Sequence, residues 1–264
     1  MDKIALISDI HGNKTALLAV LEDIKQRGIS HIYCLGDLVS KGVNPDIVVD
    51  LVKDNCEVIL RGNCEDILLP DITNSTLKWT INKIGEERRE FLVNLPILHE
   101  FYLSGQLVRL FHSSPYSLEH IFNPTYINSN TKYSDYEIND ISLMFKNTEF
   151  LGKNADDKEP DIVGYSHIHT PNLLRYKNKT IFNTGSVGAS TEMYNTGNED
   201  YTNSFSTLAS YAILEGNLNS KELGPISITN VRVPYDIESE ISDIMSSDIP
   251  NKEKLVSNLR TASI

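Results

Sequence analysis

The stretch from Lys3 to Asn13 constrains this chain more than any other. Ile4 to Ile7 are continuously apolar, as in a strand covered on both faces. The run stops at Ser8, and Asp9 and His11 follow at the carboxyl end. In extended backbone, residues i and i+2 point the same way, so the spacing predicts a carboxylate and an imidazole side by side. That is a metal-binding pair. On its own the pattern is short enough to arise by chance, and an Asp at a strand end is often only the cap of the next helix. Later stretches repeat the arrangement, and the repetition carries the argument.

From Asn13 to Arg27 the pattern is helical, with Ala16, Leu17, Val20, Leu21 and Ile24 on one face and Gly28 as the stop. His31 to Leu35 reads as a second strand, ending in Gly36 and Asp37. Pro45 to Asp54 reads as a helix with Ile47, Val48, Leu51 and Val52 as its apolar side. Glu57 to Leu60 reads as a third strand, followed by Arg61, Gly62, Asn63, Cys64 and Glu65. A β-α-β-α-β order predicts parallel strands with right-handed crossovers, and sites in such sheets form at the carboxyl ends of the strands. Each of these three strands ends in a residue able to bind a metal: Asp9 with His11, Asp37, and Asn63.

Further on, residues 77–95 read as a helix or helix pair with Trp79, Ile84, Phe91 and Leu92 on the core side. Leu107 to Phe111 is a strand with His112 at its end. Residues 113–157 are polar and rich in Asn, Ser and Tyr, and read as a cap or insert with a helix from Ser134 to Lys146. Tyr116, Tyr126 and Tyr133 in it are either base-stacking groups or ordinary loop tyrosines. Asp161 to Gly164 is a short strand leading into His167 and His169. Leu173 to Tyr176 and Thr180 to Phe182 form a hairpin across Lys177, Asn178 and Lys179. The glycine-rich run from Asn183 to Gly188 is a loop at a strand end, and Met193 to Ser206 reads as a mobile loop. Leu208 to Leu214 and Ile226 to Val233 read as an antiparallel pair, and two amphipathic helices close the chain within residues 235–264.

At 264 residues the chain has room for one sizeable α/β domain. It reads as a single domain over 1–264, with helical or cap insertions at about 66–105 and 113–157. No apolar run has the length of a membrane helix, and Asp9 interrupts what would be a signal-peptide core. Cys34, Cys56 and Cys64 are an odd number without disulfide spacing. These features predict a cytoplasmic protein with reduced thiols. A net charge of −12 argues against nonspecific binding to nucleic acid or an anionic membrane. It leaves an anionic small substrate open, because bound divalent metals reverse the local field.

Asp9-x-His11, Gly36-Asp37 with Gly42, Gly62-Asn63, His112 at a strand end, and Gly164-x-x-His167-x-His169 occur in that order. Over residues 3–235 this set resembles the calcineurin-like metallophosphoesterases, in particular a bacterial branch of about this length that includes phosphodiesterases and diadenosine polyphosphate hydrolases. The resemblance implies a four-layer α/β/β/α sandwich of two mixed sheets, with a helical cap or insert and a dinuclear metal site. It implies that Asp9, His11 and His169 bind one metal, that Asn63, His112 and His167 bind the other, and that Asp37 bridges them. Any one of the four histidines alone reads as a buried, satisfied ring; together, in motif order, they read as ligands. The donor set of hard and borderline O and N atoms suits Mn, Fe or Zn, with Mn or Fe favoured. Two such metals about 3.5–4 Å apart clamp a phosphoryl group and activate a bridging water, whose hydroxide attacks phosphorus in line.

Departures from the family pattern narrow the substrate. Many family phosphatases have His after Gly-Asn, as general acid for the leaving oxygen; here Cys64 stands in that place. Cys64 is either a small residue filling the position or, beside metals, a thiol of lowered pKa. A positioned acid contributes roughly 100- to 10,000-fold, and a serine leaving group needs it more than a nucleotide or phosphate does. Ser40-Lys41 replaces the Asp-Arg pair of protein phosphatases, and Ser113 follows His112 where relatives commonly have Gly. Arg61 either neutralises substrate phosphate or pairs with Glu65. The reading is therefore hydrolysis of phosphoester or phosphoanhydride bonds in a small nucleotide-type substrate, with Asp37, Asn63, Cys64 and Arg61 as candidate catalytic residues. The alternatives are a protein Ser/Thr phosphatase, disfavoured by Cys64 and Ser40-Lys41, and a non-catalytic scaffold, disfavoured by seven intact ligand positions.

Overall fold

Strand β1 (Asp2–Ile7) runs through the middle of a five-stranded sheet, with its last four residues buried. The computed structural model describes residues 1–68, 74–123, 137–138, 140–152, 156–195 and 201–261. In it β1 pairs in parallel with β2 (His31–Cys34), and β2 with β3 (Val58–Ile59). Helices α1 (Lys14–Gln26) and α2 (Pro45–Asn55) make the crossovers that parallel strands require. The Asn13 side chain caps α1 by accepting from the Ala16 N–H at 3.0 Å. Helix α2 buries Val48, Val49 and Val52 but leaves Ile47 39% exposed, so its buried stripe is turned slightly from the expected one.

A four-residue helix, α3 (Asn63–Asp66), starts directly after β3. Helix α4 (Ser75–Val93) is the expected helix pair, broken at Gly85, where φ 75° and ψ 170° interrupt the helix at a residue without a Cβ. Strands β4 (Leu98–Leu103) and β5 (Gln106–Phe111) form a hairpin. The second five-stranded sheet is completed by β8 (Ile162–Tyr165), β9 (Asn172–Tyr176) and β10 (Lys179–Asn183), in the order β4-β5-β8-β10-β9. The β9–β10 turn has Lys177 and Asn178 at positive φ, the conformation of a tight hairpin turn. A parallel ribbon of β6 (Ile121–Phe122) and β7 (Glu137–Ile138) stands apart. After β11 (Thr191–Asn195) and β12 (Tyr201–Phe205), strands β13 (Leu208–Gly216) and β14 (Ser227–Pro234) complete the first sheet beside β1. Helices α5 (Ile237–Ser246) and α6 (Lys252–Thr261) follow.

Alternate residues of β1 feed two different cores, which explains its unbroken apolar run. Ala5 and Ile7 face the helices with Leu17, Val20 and Val48, while Ile4 and Leu6 face the second sheet with Val108, Leu110 and Phe182. A third cluster, Phe111, Val163 and Ile181 against Phe122, Met144 and Phe145, covers the far side of the second sheet. The layers are thus helix, sheet, sheet and an outer cover, the expected sandwich of two mixed sheets, with a fourth layer that among the described residues is built of β6, β7 and the 3-10 helix Ile141–Phe145 rather than α-helix.

Two expectations are corrected. The helix expected over Ser134–Lys146 is absent from the described part of that stretch. It holds β7 and a 3-10 helix, Ile141–Phe145, while 134–136 and 139 lie outside the described residues. Asp140 accepts from the Ser142 N–H at 2.8 Å, a local bond that competes with α-helix. The loop expected over Met193–Ser206 carries, in its described part, the hairpin β11–β12, in register from Thr191↔Phe205 to Asn195↔Tyr201, while 196–200 lie outside the described residues. Ladder bonding needs no apolar face, so low apolar content did not decide that segment. Tyr126 and Tyr133 lie outside the described residues; Tyr116 packs on the outer cluster. Among the described residues no helix is long and apolar enough to cross a membrane.

Candidate metal centre

The seven side chains singled out as ligands gather where the carboxyl ends of β1, β2, β3, β5 and β8 meet, across both sheets. Three overlapping groups bring their ligand atoms within 4.8 Å of one another: Asp9, His11 and His169; His11, Asp37 and Cys64; and Asp9, Asp37 and His112. The Asn63 Oδ1 lies 3.0 Å from both the His112 Nε2 and the His167 Nδ1.

The backbone delivers these groups differently from the extended geometry expected for Asp9 and His11. Asp9 (φ 50°), His11 (51°), Asp37 (56°), His167 (68°) and His169 (62°) all lie in the left-handed region. Each such non-glycine residue costs on the order of 1 kcal/mol, and a concentration of them marks a functional site held by its surroundings. The surroundings are backbone bonds between loops. Asp9 N–H donates to the Gly36 carbonyl at 3.0 Å, and Ile10 and His11 N–H both donate to the Asp37 carbonyl. From behind, the Ser186 hydroxyl and the Gly188 N–H donate to the Asp9 carbonyl at 2.7 and 3.0 Å, so the glycine-rich run braces the first ligand loop. Gly62 is required by close approach: a Cβ there would lie 2.2 Å from Asp37 Oδ1.

Whether these residues fit a metal is decided by their lone pairs. The His11 and His169 Nδ1 atoms meet the carbonyls of Val39 (3.2 Å) and Ala189 (2.8 Å). A carbonyl only accepts, so each Nδ1 carries the proton and each Nε2 a lone pair. Those two Nε2 atoms lie 3.0 Å apart. The His112 Nδ1 likewise meets the Leu35 carbonyl at 2.8 Å, and its Nε2 faces Asn63 and, at 3.4 Å, Asp37 Oδ1. Asp9 Oδ1 is buried without a hydrogen-bond partner. With its amide turned over, Asn63 would offer two N–H bonds to four acceptors: the His112 Nε2, the His167 Nδ1 and both Asp37 oxygens. Apart from the Lys41 Nζ, 3.1 Å from the His11 Nε2, these are acceptors crowded on acceptors, which is repulsive until a metal ion sits among them. Backbone carbonyls bonded to the far ring nitrogens are the usual support of histidine ligands. The residues present fit a metal.

Protonation follows the same logic. Burial pushes the Asp9 carboxyl up, but the neighbouring His169, and then His112 and His11, pull it well below the usual range. Burial opposes ionisation of Asp37 too, and His112 and His11 overcome it. Burial, then the Lys41 ammonium, holds His11 well below its ordinary value, and burial with His112 takes His167 down to about 4. Both carboxylates are charged and the His11 and His167 rings neutral at pH 7, whereas burial lowers His112 but the Asp37 and Asp9 carboxylates outweigh it and raise that ring above its ordinary value. The Cys64 thiol is pushed up, by burial first and then by the Asp37 carboxylate, and it donates to Asp37 Oδ2 at 3.1 Å. Among these groups it is a protonated donor.

Arg61 is not brought into the cluster. Its guanidinium donates to the Val93 carbonyl at 2.7 Å and faces Asp66 at 3.8 Å, rather than pairing with Glu65. Glu65 itself was missed as a site residue. Its Oε2 accepts from the N–H groups of Asp37 and Gly62, and its Oε1 from that of Leu38, all at 2.8 Å, from a fully buried position. A carboxylate three residues after the residue preceding a helix is the spacing of a capping box, the one signal that pointed to it. Lys41 was noted only as a departure, yet its Nζ reaches within 3.1 Å of the His11 Nε2.

A family model for calcineurin-like phosphoesterases matches residues 2–216. An uncharacterized protein of Methanocaldococcus jannaschii is 31% identical over 271 residues, spanning 94% of this chain and 93% of its own length. Among solved structures, a metallophosphoesterase from Sphaerobacter thermophilus has a TM-score of 0.68 at 22% identity, covering 98% of this chain and 99% of that one. A hypothetical protein from Pyrococcus horikoshii OT3 has a TM-score of 0.70 at 20% identity, over 98% of each chain. These two structures share the fold.

Proposed function

The chain belongs to the calcineurin-like phosphoesterase family, a family of metal-dependent hydrolases, and from that premise we propose that it cleaves phosphodiester or phosphoanhydride bonds in a small nucleotide-type substrate at a dinuclear centre. The observation that carries the dinuclear reading is the posture of Asp37. Its Oδ2 lies 3.8 Å from the His11 Nε2 on one side, and its Oδ1 lies 3.4 Å from the His112 Nε2 on the other. Asp9, His11 and His169 would hold one cation, Asn63, His112 and His167 a second, and Asp37 would serve both. The all-oxygen-and-nitrogen set favours Mn or Fe, with Zn also compatible. Bound there, such cations supply Lewis-acid activation of water and offset charge on the phosphoryl oxygens.

The chain's own residues then set which leaving groups depart. Cys64 occupies the place from which a proton would reach the leaving oxygen, and its thiol is committed to Asp37. A thiol held in that way is a poor acid for an alkoxide. Lys41 brings a positive charge to the same side and stabilises a leaving group that departs as an anion. Nucleotides and phosphates leave in that way; serine does not. Arg61, engaged with Val93, fixes the β3–α3 loop instead of meeting phosphate.

The test is a hydrolysis panel with Mn-loaded protein: bis(p-nitrophenyl) phosphate, p-nitrophenyl phosphate, diadenosine tetraphosphate and a phosphoserine peptide. The expected result is a kcat/KM on the diester or the dinucleotide about 100-fold or more above that on the peptide, the lower end of what a positioned acid is worth. In Cys64→His the gap is expected to narrow. Peptide hydrolysis by the wild-type protein as efficient as that of the dinucleotide would refute the substrate assignment.

A further inference from the structure

The metal ligands all lie before residue 170, but the space beside them is walled by the end of the chain. One pocket of about 120 Å³ has His11 and Lys41 at its base and Phe205, Tyr235, Leu255 and Leu259 among its walls. A second, of about 450 Å³, opens on the other side of Lys41. It reaches Cys64 and is lined by Thr76, Asn251 and Lys254. Lys41, Leu255 and Asn258 belong to both, so α6 divides the approach to the metal centre in two.

The helix pair is anchored to the ligand loops. Ile244 and Ile249 pack on Val43, with Trp79, Leu255, Val256 and Leu259 around them. Asp243 receives Lys14 at 2.6 Å and Asn44 at 3.1 Å, and the Trp79 Nε1 donates to Asp248 at 2.7 Å. Val43 and Asn44 follow Lys41 and Gly42 directly, so the fold places α5 and α6 against the loop that carries the cation.

The two compartments differ in chemistry. The first is mixed, with an apolar wall of Phe205, Tyr235, Ile244, Leu255 and Leu259 that includes two aromatic side chains. Its volume of about 120 Å³ is somewhat below the about 150 Å³ of an apolar cavity that takes up a benzene ring, but it is open to solvent, so a single ring fits partly within it. Among its polar lining residues Glu240 is 2% exposed and meets Thr15 of α1, while its Oε2 is left without a hydrogen-bond partner. That oxygen is an acceptor suited to an N–H on the edge of a base. In the second compartment the charged side chains among the described residues are Lys41 and Lys254, with no carboxylate, in a chain of net charge −12. That segregation fits an anion.

Building on the phosphoesterase reading above, we propose that α5 and α6 form the substrate-recognition wall of this protein. The base of a nucleotide substrate enters the Phe205–Tyr235–Leu259 pocket, and its anionic leaving portion lies along Lys41 and Lys254. The α6 face, rather than the metal loops, then sets which phosphoesters are preferred.

The test compares two esters with the same leaving group, thymidine 5′-(4-nitrophenyl) phosphate and methyl 4-nitrophenyl phosphate, on Mn-loaded protein. Stacking a base on aromatic walls predicts a kcat/KM about 10-fold or more higher for the nucleoside ester. Leu259→Trp, which fills the pocket, and Phe205→Ala, which removes a wall, should each bring that ratio toward one by raising KM for the nucleoside ester. A variant that merely misfolds lowers both esters together and leaves the ratio intact. Calorimetric titration with thymidine monophosphate gives a readout independent of turnover: binding to wild type that weakens about 10-fold in Leu259→Trp supports the pocket even if neither ester is hydrolysed, an outcome that would instead refute the phosphoesterase reading. A wild-type ratio near one, or wild-type binding unchanged by Leu259→Trp, overturns the proposal.

Discussion

Asp37→Asn is expected to lower phosphodiester hydrolysis by about 1,000-fold or more, a loss of about 4 kcal/mol of transition-state stabilisation. The substitution keeps the shape of the side chain but converts one oxygen into an NH₂ group. Whichever way the amide turns, a donor then faces either the His11 side or the Asn63–His112 side, where lone pairs converge. A donor placed among those lone pairs satisfies them without a cation, so the variant competes with metal for its own site. The Asp37 N–H is held by Glu65 and its carbonyl by Ile10 and His11, and the one backbone bond that its side chain makes, from the Cys64 N–H at 2.8 Å, is kept when the Asn oxygen faces Cys64, so the variant is expected to fold. Kinetics on the Mn-loaded variant, with thermal unfolding beside it, check the claim. Activity within about ten-fold of wild type would remove Asp37 from the centre of the mechanism.

Glu65→Ala is expected to be the most destabilising single change at the site. It strips four buried backbone N–H groups of their acceptor, those of Asp37, Leu38 and Gly62 at 2.8 Å and that of Val39 at 3.4 Å. An orphaned buried N–H costs about 1–3 kcal/mol, so the three short bonds put the loss at about 3–9 kcal/mol against a typical total of about 5–15 kcal/mol. Glu65→Gln, which keeps one acceptor oxygen, should lose about half as much. The same carboxylate holds the loop of Asp37 against the loop of Asn63, so the two ligands are expected to lose register together. Urea denaturation of the three proteins gives the ordering directly. A Glu65→Ala protein within about 1 kcal/mol of wild type would mean that the loops are held by something else.

Those two residues illustrate what a chain like this discloses. Asp37 was legible because local pattern carries it: an apolar strand that stops, a glycine, then a carboxylate, in series with similar strand ends. The β1–α1–β2–α2–β3 frame was legible for the same reason, since burial on two faces writes itself as an unbroken apolar run and helix caps are local. Glu65 was legible only as a capping-box residue for Gly62, because its other short bonds go to Asp37 and Leu38, 28 and 27 residues away, which no local pattern announces. The left-handed backbone of Asp9, His11, Asp37, His167 and His169 was hidden too. Propensity disfavours that conformation, and only inter-loop hydrogen bonds impose it. Strand β4 mixes His99 and Glu100 with Phe101 and Leu103 and gave no clear period, while β11–β12 pairs through backbone atoms in a polar stretch. The division of the cleft by α6 was likewise invisible, because an amphipathic pattern identifies a buried face without saying what it faces.

The measurement that bears most directly on the account is the number of metal ions taken up per chain. Metal-free protein titrated with Mn²⁺, followed by calorimetry and checked by elemental analysis after desalting, is expected to take up two ions per chain. Uptake of no ion, or of a single ion unaffected by Asp37→Asn, would contradict a centre in which one aspartate serves two cations.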